Sequence, residues 1–82
     1  MNIESIIEPI RVLASFAGGA CEPLRFVWKG RTYKIEQVNG RWIGRQGDLY
    51  SLHYSVQCGS ETFYLHFAAK EVQWWLDQLI VP

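Results

Sequence analysis

The run YSLHYSVQCGSETFYLHF, residues 50 to 67, constrains this chain more than any other stretch. Tyr50, Leu52, Tyr54, Val56 and Cys58 take every second position, and Phe63, Leu65 and Phe67 resume the alternation after Gly59-Ser60. A period of two belongs to a strand with one buried face, because a helix would scatter such residues around its circumference. With Gly59-Ser60 as a two-residue turn, Val56 faces Phe63, Tyr54 faces Leu65 and Leu52 faces Phe67. The outer face of that register pairs Ser55 with Tyr64 and His53 with His66.

A second hairpin is written in RFVWKGRTYKI, residues 25 to 35. A two-residue turn at Lys29-Gly30 sets Trp28 opposite Arg31, Phe26 opposite Tyr33 and Leu24 opposite Ile35, so both strands turn their apolar residues to one side. A three-residue turn would instead oppose Phe26 with Lys34. The two-residue register also places Arg25 opposite Lys34 on the outer face, a mildly destabilising like-charge pair that Glu36, on the diagonal, is placed to offset.

Elsewhere the pattern is less complete. Ile10, Val12, Ala14 and Phe16 alternate until Gly18-Gly19, while residues 1–8 show no period and Pro9 follows them. The expectation is a loosely ordered leader over 1–8 and a single β domain over 9–82. Asn39-Gly40 predicts a tight turn, followed by a short, irregular strand around Trp42. The tail is ambiguous: Val72, Trp75, Leu76 and Leu79 have helical spacing, whereas Val72, Trp74 and Leu76 have strand spacing. Adjacent tryptophans and a closing Ile80-Val81 favour a strand, with a bulge near Asp77-Gln78 that brings Leu79 and Val81 to the inner face.

The expected architecture is therefore all-β, about six antiparallel strands in a meander curled into a small, partly open barrel or roll. Its core is expected to include Phe16, Leu24, Phe26, Trp28, Tyr54, Val56, Leu65 and Leu76. The alternative is α+β, with a C-terminal helix over 69–80 on a five-stranded sheet. At 82 residues there is room for one core and for no separate cofactor domain.

The order EPIRV, RFVWKGRTYKI, YSLHYSV, FYLHF and WWLDQLIV is similar to that of a family of small bacterial all-β domains of unknown function. Their pattern is roughly F-x-W-x-G-R-x-Y-x-V, a later aromatic strand, and W-x-L near the end. The similarity runs from Glu8 onward, and Phe26, Trp28, Gly30, Arg31, Tyr33, Trp74 or Trp75, and Leu76 match. Related segments occur at the C-terminus of proteins resembling inactive translesion DNA polymerases. The resemblance implies a closing strand at W-x-L and an accessory role near DNA repair.

Formal net charge is zero, so no global field draws the chain towards nucleic acid or anionic lipid. The distribution is uneven, because Arg25, Lys29, Arg31, Lys34, Arg41 and Arg45 face a single acid, Glu36, within residues 25 to 45. These six form a candidate basic binding surface for nucleic-acid phosphates, against the plainer reading of a solvated edge that discourages aggregation. Arg31 has a further plain role, stacking on Trp28 across its turn. Trp42, Trp74 and Trp75 are candidate protein contacts, since one of the two adjacent tryptophans must face outward.

Catalytic chemistry has little footing here. No nucleophile elbow, phosphate loop or dinucleotide fingerprint is present, and Cys21 has no histidine beside it in sequence. His53 and His66 are too few for a tight metal site, with Cys58 directed to the other face, so no metal or cofactor is expected. The start carries acids and no long apolar run, which predicts a cytoplasmic protein without membrane association. The expected function is a non-catalytic binding or adaptor module for an unknown protein partner, monomeric or weakly homo-oligomeric. Weak nucleic-acid binding is the alternative.

Overall fold

In the computed structural model, which describes residues Met1–Pro82, the chain is all-β with seven antiparallel strands and no helix. They are β1 (Asn2–Ala17), β2 (Ala20–Trp28), β3 (Arg31–Lys34), β4 (Gln37–Gln46), β5 (Leu49–Cys58), β6 (Glu61–Ala68) and β7 (Gln73–Val81). The strand order is β3-β2-β1-β7-β6-β5-β4. Two meanders, β1–β3 and β4–β7, are thus joined by pairing of the first strand with the last. β3 and β4 are the free edges, so the roll is open and not a barrel.

β1 makes the curl. Its first part pairs with β7, from Asn2↔Val81 to Ile10↔Trp74, and its second part pairs with β2, from Arg11↔Val27 to Ala17↔Ala20. One strand thereby belongs to a five-stranded half and to a three-stranded half, and the halves fold over each other. Phe26 and Tyr33, from the smaller half, each lie 5.1 Å from the ring of Phe63 in the larger one. Phe63, Val56, Leu65, Leu76 and Phe26 are fully buried at this junction.

Both hairpins read from the alternation have the expected registers, Val56↔Phe63 through Leu52↔Phe67 and Phe26↔Tyr33 with Trp28↔Arg31. Lys29 and Gly30 both take left-handed conformations, with φ of 52° and 74°, as a two-residue turn matched to strand twist demands. The closing segment is a strand, which rules out the helix over 69–80. Its pairing steps from Leu65↔Leu76 to Tyr64↔Gln78, leaving Asp77 as the bulge and turning both Leu76 and Leu79 inward.

Four expectations need correction. Of residues 1–8, expected as a loosely ordered leader, Asn2 to Ser5 and Glu8 pair with β7 on either side of a bulge in which Ile7 has φ 54°. Asn39-Gly40 is no turn: β4 continues through it, the step from Val38↔Val56 to Gly40↔Ser55 leaving Asn39 as a bulge, and the true turn is Gly47-Asp48. The short, irregular strand expected at Trp42 is instead a full edge strand of ten residues, and the strands number seven where about six were expected. Leu24 is exposed because the β1–β2 register steps between Leu13↔Arg25 and Ala14↔Pro23, so Pro23 takes the buried position. Phe16 is also largely exposed near the β1–β2 turn, touching Phe67 edge-on at 6.0 Å.

Candidate functional site

The outer face of the larger half carries one uninterrupted row of rings. Trp42 on β4 is opposite His53 on β5, His53 is opposite His66 on β6, and His66 is opposite Trp75 on β7. Successive centroids are 5.5, 5.1 and 6.3 Å apart, with interplanar angles of 11°, 24° and 9°. Neighbouring strands are about 4.8 Å apart, so near-parallel rings at these distances stand upright on the sheet and cover one another's faces. His53 and His66 therefore have both ring faces covered, while Trp42, on the free edge strand, is stacked on one face only and is 46% exposed. Trp74 points the other way and is buried in the core.

Polar groups fix the two imidazoles from opposite sides. Both carboxylate oxygens of Asp77 lie 2.8 Å from His66 Nδ1. Asp77 is the unpaired residue of the β7 bulge on this face, beside the bulge in β1 at Ile7. Ser51 Oγ lies 2.7 Å from His53 Nε2. Opposite Ser51 is Gly44, where a Cβ would stand only 2.9 Å from His53 Nε2 and 3.2 Å from Ser51 Oγ. The glycine leaves room for the imidazole to lean over β4. Partial burial holds the His53 pKa below its ordinary value, and the neighbouring His66 lowers it further, with Asp77 opposing.

Two hollows border this row. One of about 350 Å³ is lined by Gly44, Ser51, His66, Ala68 and Lys70, among others. The other, about 460 Å³, runs beside the free edge of β4, between Arg41, Trp42 and Ile43 and the start of β2 at Cys21 and Glu22. Only two side-chain links cross the mouth of this cleft. Arg41 donates to Glu22, with Nε at 2.9 Å and Nη2 at 2.8 Å, and the Tyr54 hydroxyl donates to the Cys21 carbonyl.

The six bases of the candidate basic surface do not come together. Arg25 and Lys34 face each other on the outer side of β2 and β3 as expected, but Glu36 forms no ion pair with Arg25. Arg11, which lies outside the charge-rich segment, joins them on that face opposite Val27. Lys29 lies in the hairpin turn and Arg31 directly follows it. Lys29 Nζ lies 4.8 Å from the Trp28 ring and Arg31 lies over Tyr33 at 5.4 Å, so the expected Arg31–Trp28 stack gives way to two others. Arg41 is engaged with Glu22, and Arg45 sits across from Tyr50 near the far end of β4.

Of the three candidate tryptophans, Trp42 and Trp75 share the outer row and Trp74 does not. Asp77, Ser51 and Gly44 were not singled out by sequence reasoning. Asp77 depends on the pairing of β7 with β6, and Gly44 and Ser51 on the register of β4 with β5, neither of which local spacing reveals. The chain matches no protein-family model, no curated protein and no solved structure.

Proposed function

We propose that this chain is a non-catalytic binding module that holds a protein partner by strand addition to β4. The observation that carries this reading is the free edge of β4, ten residues with a paired neighbour on one side only. Exposed edges take extended peptides through main-chain hydrogen bonds, and alternate side chains supply selectivity. Trp42 and Ile43 are both exposed, at 46% and 61%, and point to opposite faces of β4. An added strand therefore meets Trp42 on the outer face and Ile43 with the 460 Å³ cleft on the inner one. Arg45 has no acidic partner and favours an acidic residue in the added segment. The bulge at Asn39 and the charges of Arg41 and Arg45 limit indiscriminate pairing.

A non-catalytic role is supported by how the polar groups are connected. Ser51 and His53 are at hydrogen-bond distance, but Asp77 orients His66 and not His53. The two imidazoles stack instead of passing a proton, so no nucleophile, base and orienting acid form a chain. Unpaired Cys21 and Cys58 are in keeping with a reducing, cytoplasmic setting.

The test is selection of extended peptides from a display library on the full chain, followed by amide hydrogen exchange of the complex. Selected peptides should protect β4 amides and lose affinity by about tenfold or more on Trp42→Ala. Peptides that bind without protecting β4 would sink the reading.

A second reading, weak nucleic-acid binding by an accessory domain linked to DNA repair, is favoured by Arg11, Arg25 and Lys34 on one outer face without carboxylate partners. Within the row, His53 and His66 have both ring faces covered, which leaves few faces for base stacking. What remains is phosphate contact, and the affinity for short DNA should then fall steeply with salt. Absence of low-salt chemical-shift changes on residues 25 to 34 rejects it.

A further inference from the structure

We propose that His53, His66 and Asp77 form a binding site for a divalent transition-metal ion of the zinc and cobalt class. One donor atom from each of the three residues lies within 4.8 Å of the others, and all three are partly buried. Two imidazoles and a carboxylate suit ions of intermediate softness, and three protein donors leave one position open. This goes beyond peptide binding at β4, and none of its three ligand residues lies on that strand.

Three features of the sheet make the set more than a chance grouping. The histidines are directly cross-strand, which fixes the spacing of their Cα atoms through the backbone, and their rings lie 5.1 Å apart. Asp77 is delivered by a bulge, where a regular ladder would have set it opposite Tyr64. The 350 Å³ hollow beside His66 gives room for water or a small ligand at the open position.

The distances indicate where the ion would enter. Ligand atoms about 2.0–2.1 Å from a tetrahedral zinc are roughly 3.3 Å apart. His66 Nδ1 and the Asp77 oxygens are at 2.8 Å, so a small separation admits the ion in place of the proton between them. That proton leaves Nδ1. If His66 is neutral it reappears on Nε2 through solvent, and if the ring is an imidazolium it passes to bulk water, so no other reactant is required. His53 completes the set by tilting its ring towards His66.

The probes are Co2+ and Zn2+ added to the metal-free full chain. Co2+ should give d–d absorption bands that Zn2+ abolishes, and Zn2+ should shift the ring resonances of His53 and His66 with those of Trp42 and Trp75. Asp77→Asn, which keeps size and hydrogen bonding, and His53→Gln should each weaken binding by about tenfold or more. Amide spectra of the variants report whether they remain folded. Two results overturn the proposal: no saturable Zn2+ shift on either histidine up to about 1 mM, far weaker than protein zinc sites hold their ion, or binding that survives both substitutions in folded protein. Peptide capture at β4 is measured without metal, so either proposal can fail alone.

Discussion

The hydroxyl of Tyr54 donates to the backbone carbonyl of Cys21, 33 positions earlier, and joins the middle of β5 to the start of β2. These strands are not neighbours in the sheet, so the bond spans the open side of the roll where β3 and β4 fail to pair. Burial, followed by the Cys21 contact, pushes the Tyr54 pKa up, so the hydroxyl keeps its proton throughout the ordinary pH range.

Tyr54→Phe should lower the stability by about 1–2 kcal/mol, because it leaves a carbonyl without its donor while keeping the ring. Urea unfolding followed by near-ultraviolet circular dichroism measures this as a lower midpoint. Arg41→Gln, removing the exposed ion pair across the same cleft, should cost less than about 1 kcal/mol. An equal loss from both variants would show that the Tyr54 bond has no special part in closing the mouth.

Phe63→Ala should be far more damaging. Its ring is fully buried and contacts Phe26, Tyr33 and Trp28 at 5.1, 5.1 and 6.2 Å, so it is where the two halves of the roll meet. A loss of about 3–5 kcal/mol is expected, which takes much of the stability of a domain this small. Thermal unfolding should show a transition lowered by tens of degrees or absent.

Stability should fall on acidification through a step that belongs to His53. Its folded-state pKa lies below 6.5, so the unfolded chain takes up a proton that the folded chain resists. The contribution is complete above pH 6.5 and is lost as pH falls through the lower, folded value. Urea midpoints measured in metal-free buffer at successive pH values test this, and His53→Gln should flatten the profile near that step.

Gly44→Ala should dislodge the His53 ring without unfolding the sheet. The added Cβ would stand 2.9 Å from Nε2, the far end of a side chain that can yield, and the Ser51 contact must break for it to do so. Loss of the Trp42 ring-current shift on His53 is the expected signature in proton NMR. An unchanged His53 spectrum would mean that the glycine is not needed for the ring.

The two cysteines should differ in reactivity. Burial, then Glu36 and Glu61, push the Cys58 thiol up to about 11, and the side chain is inside the roll. Iodoacetamide at neutral pH should leave Cys58 unmodified in folded protein and alkylate it only after unfolding, as peptide mass analysis would reveal.

The parts legible in the sequence are those in which neighbouring residues decide. The Gly59-Ser60 and Lys29-Gly30 hairpins, the His53–His66 pair and the inward turn of Leu79 all follow from alternation and turn chemistry within a few residues. Asn39-Gly40 misled because the same dipeptide that favours a turn also fits a bulge, and only the partner strand β5 distinguishes them. Leu24 misled for a related reason, since a one-residue step in the β1–β2 register moves Pro23 into the core and Leu24 out of it, whereas Phe16 keeps its place in the alternation but lies beside the β1–β2 turn, beyond the covered part of the core. Asp77 escaped notice as a site residue because its neighbour His66 is brought to it by pairing of β6 with β7.

The seam between β1 and β7 also sets the order in which the fold can be assembled. Every other strand pair joins sequence neighbours through a turn of a few residues, whereas Asn2↔Val81 closes nearly the entire chain. Both meanders can collapse early through local contacts, but the entropy of closing the largest loop is met only when the first strand docks on the last. Folding kinetics should therefore be governed by Ile10, Trp74 and Leu76 at that seam, and a nascent chain lacking β7 leaves β1 and β6 as two additional open edges.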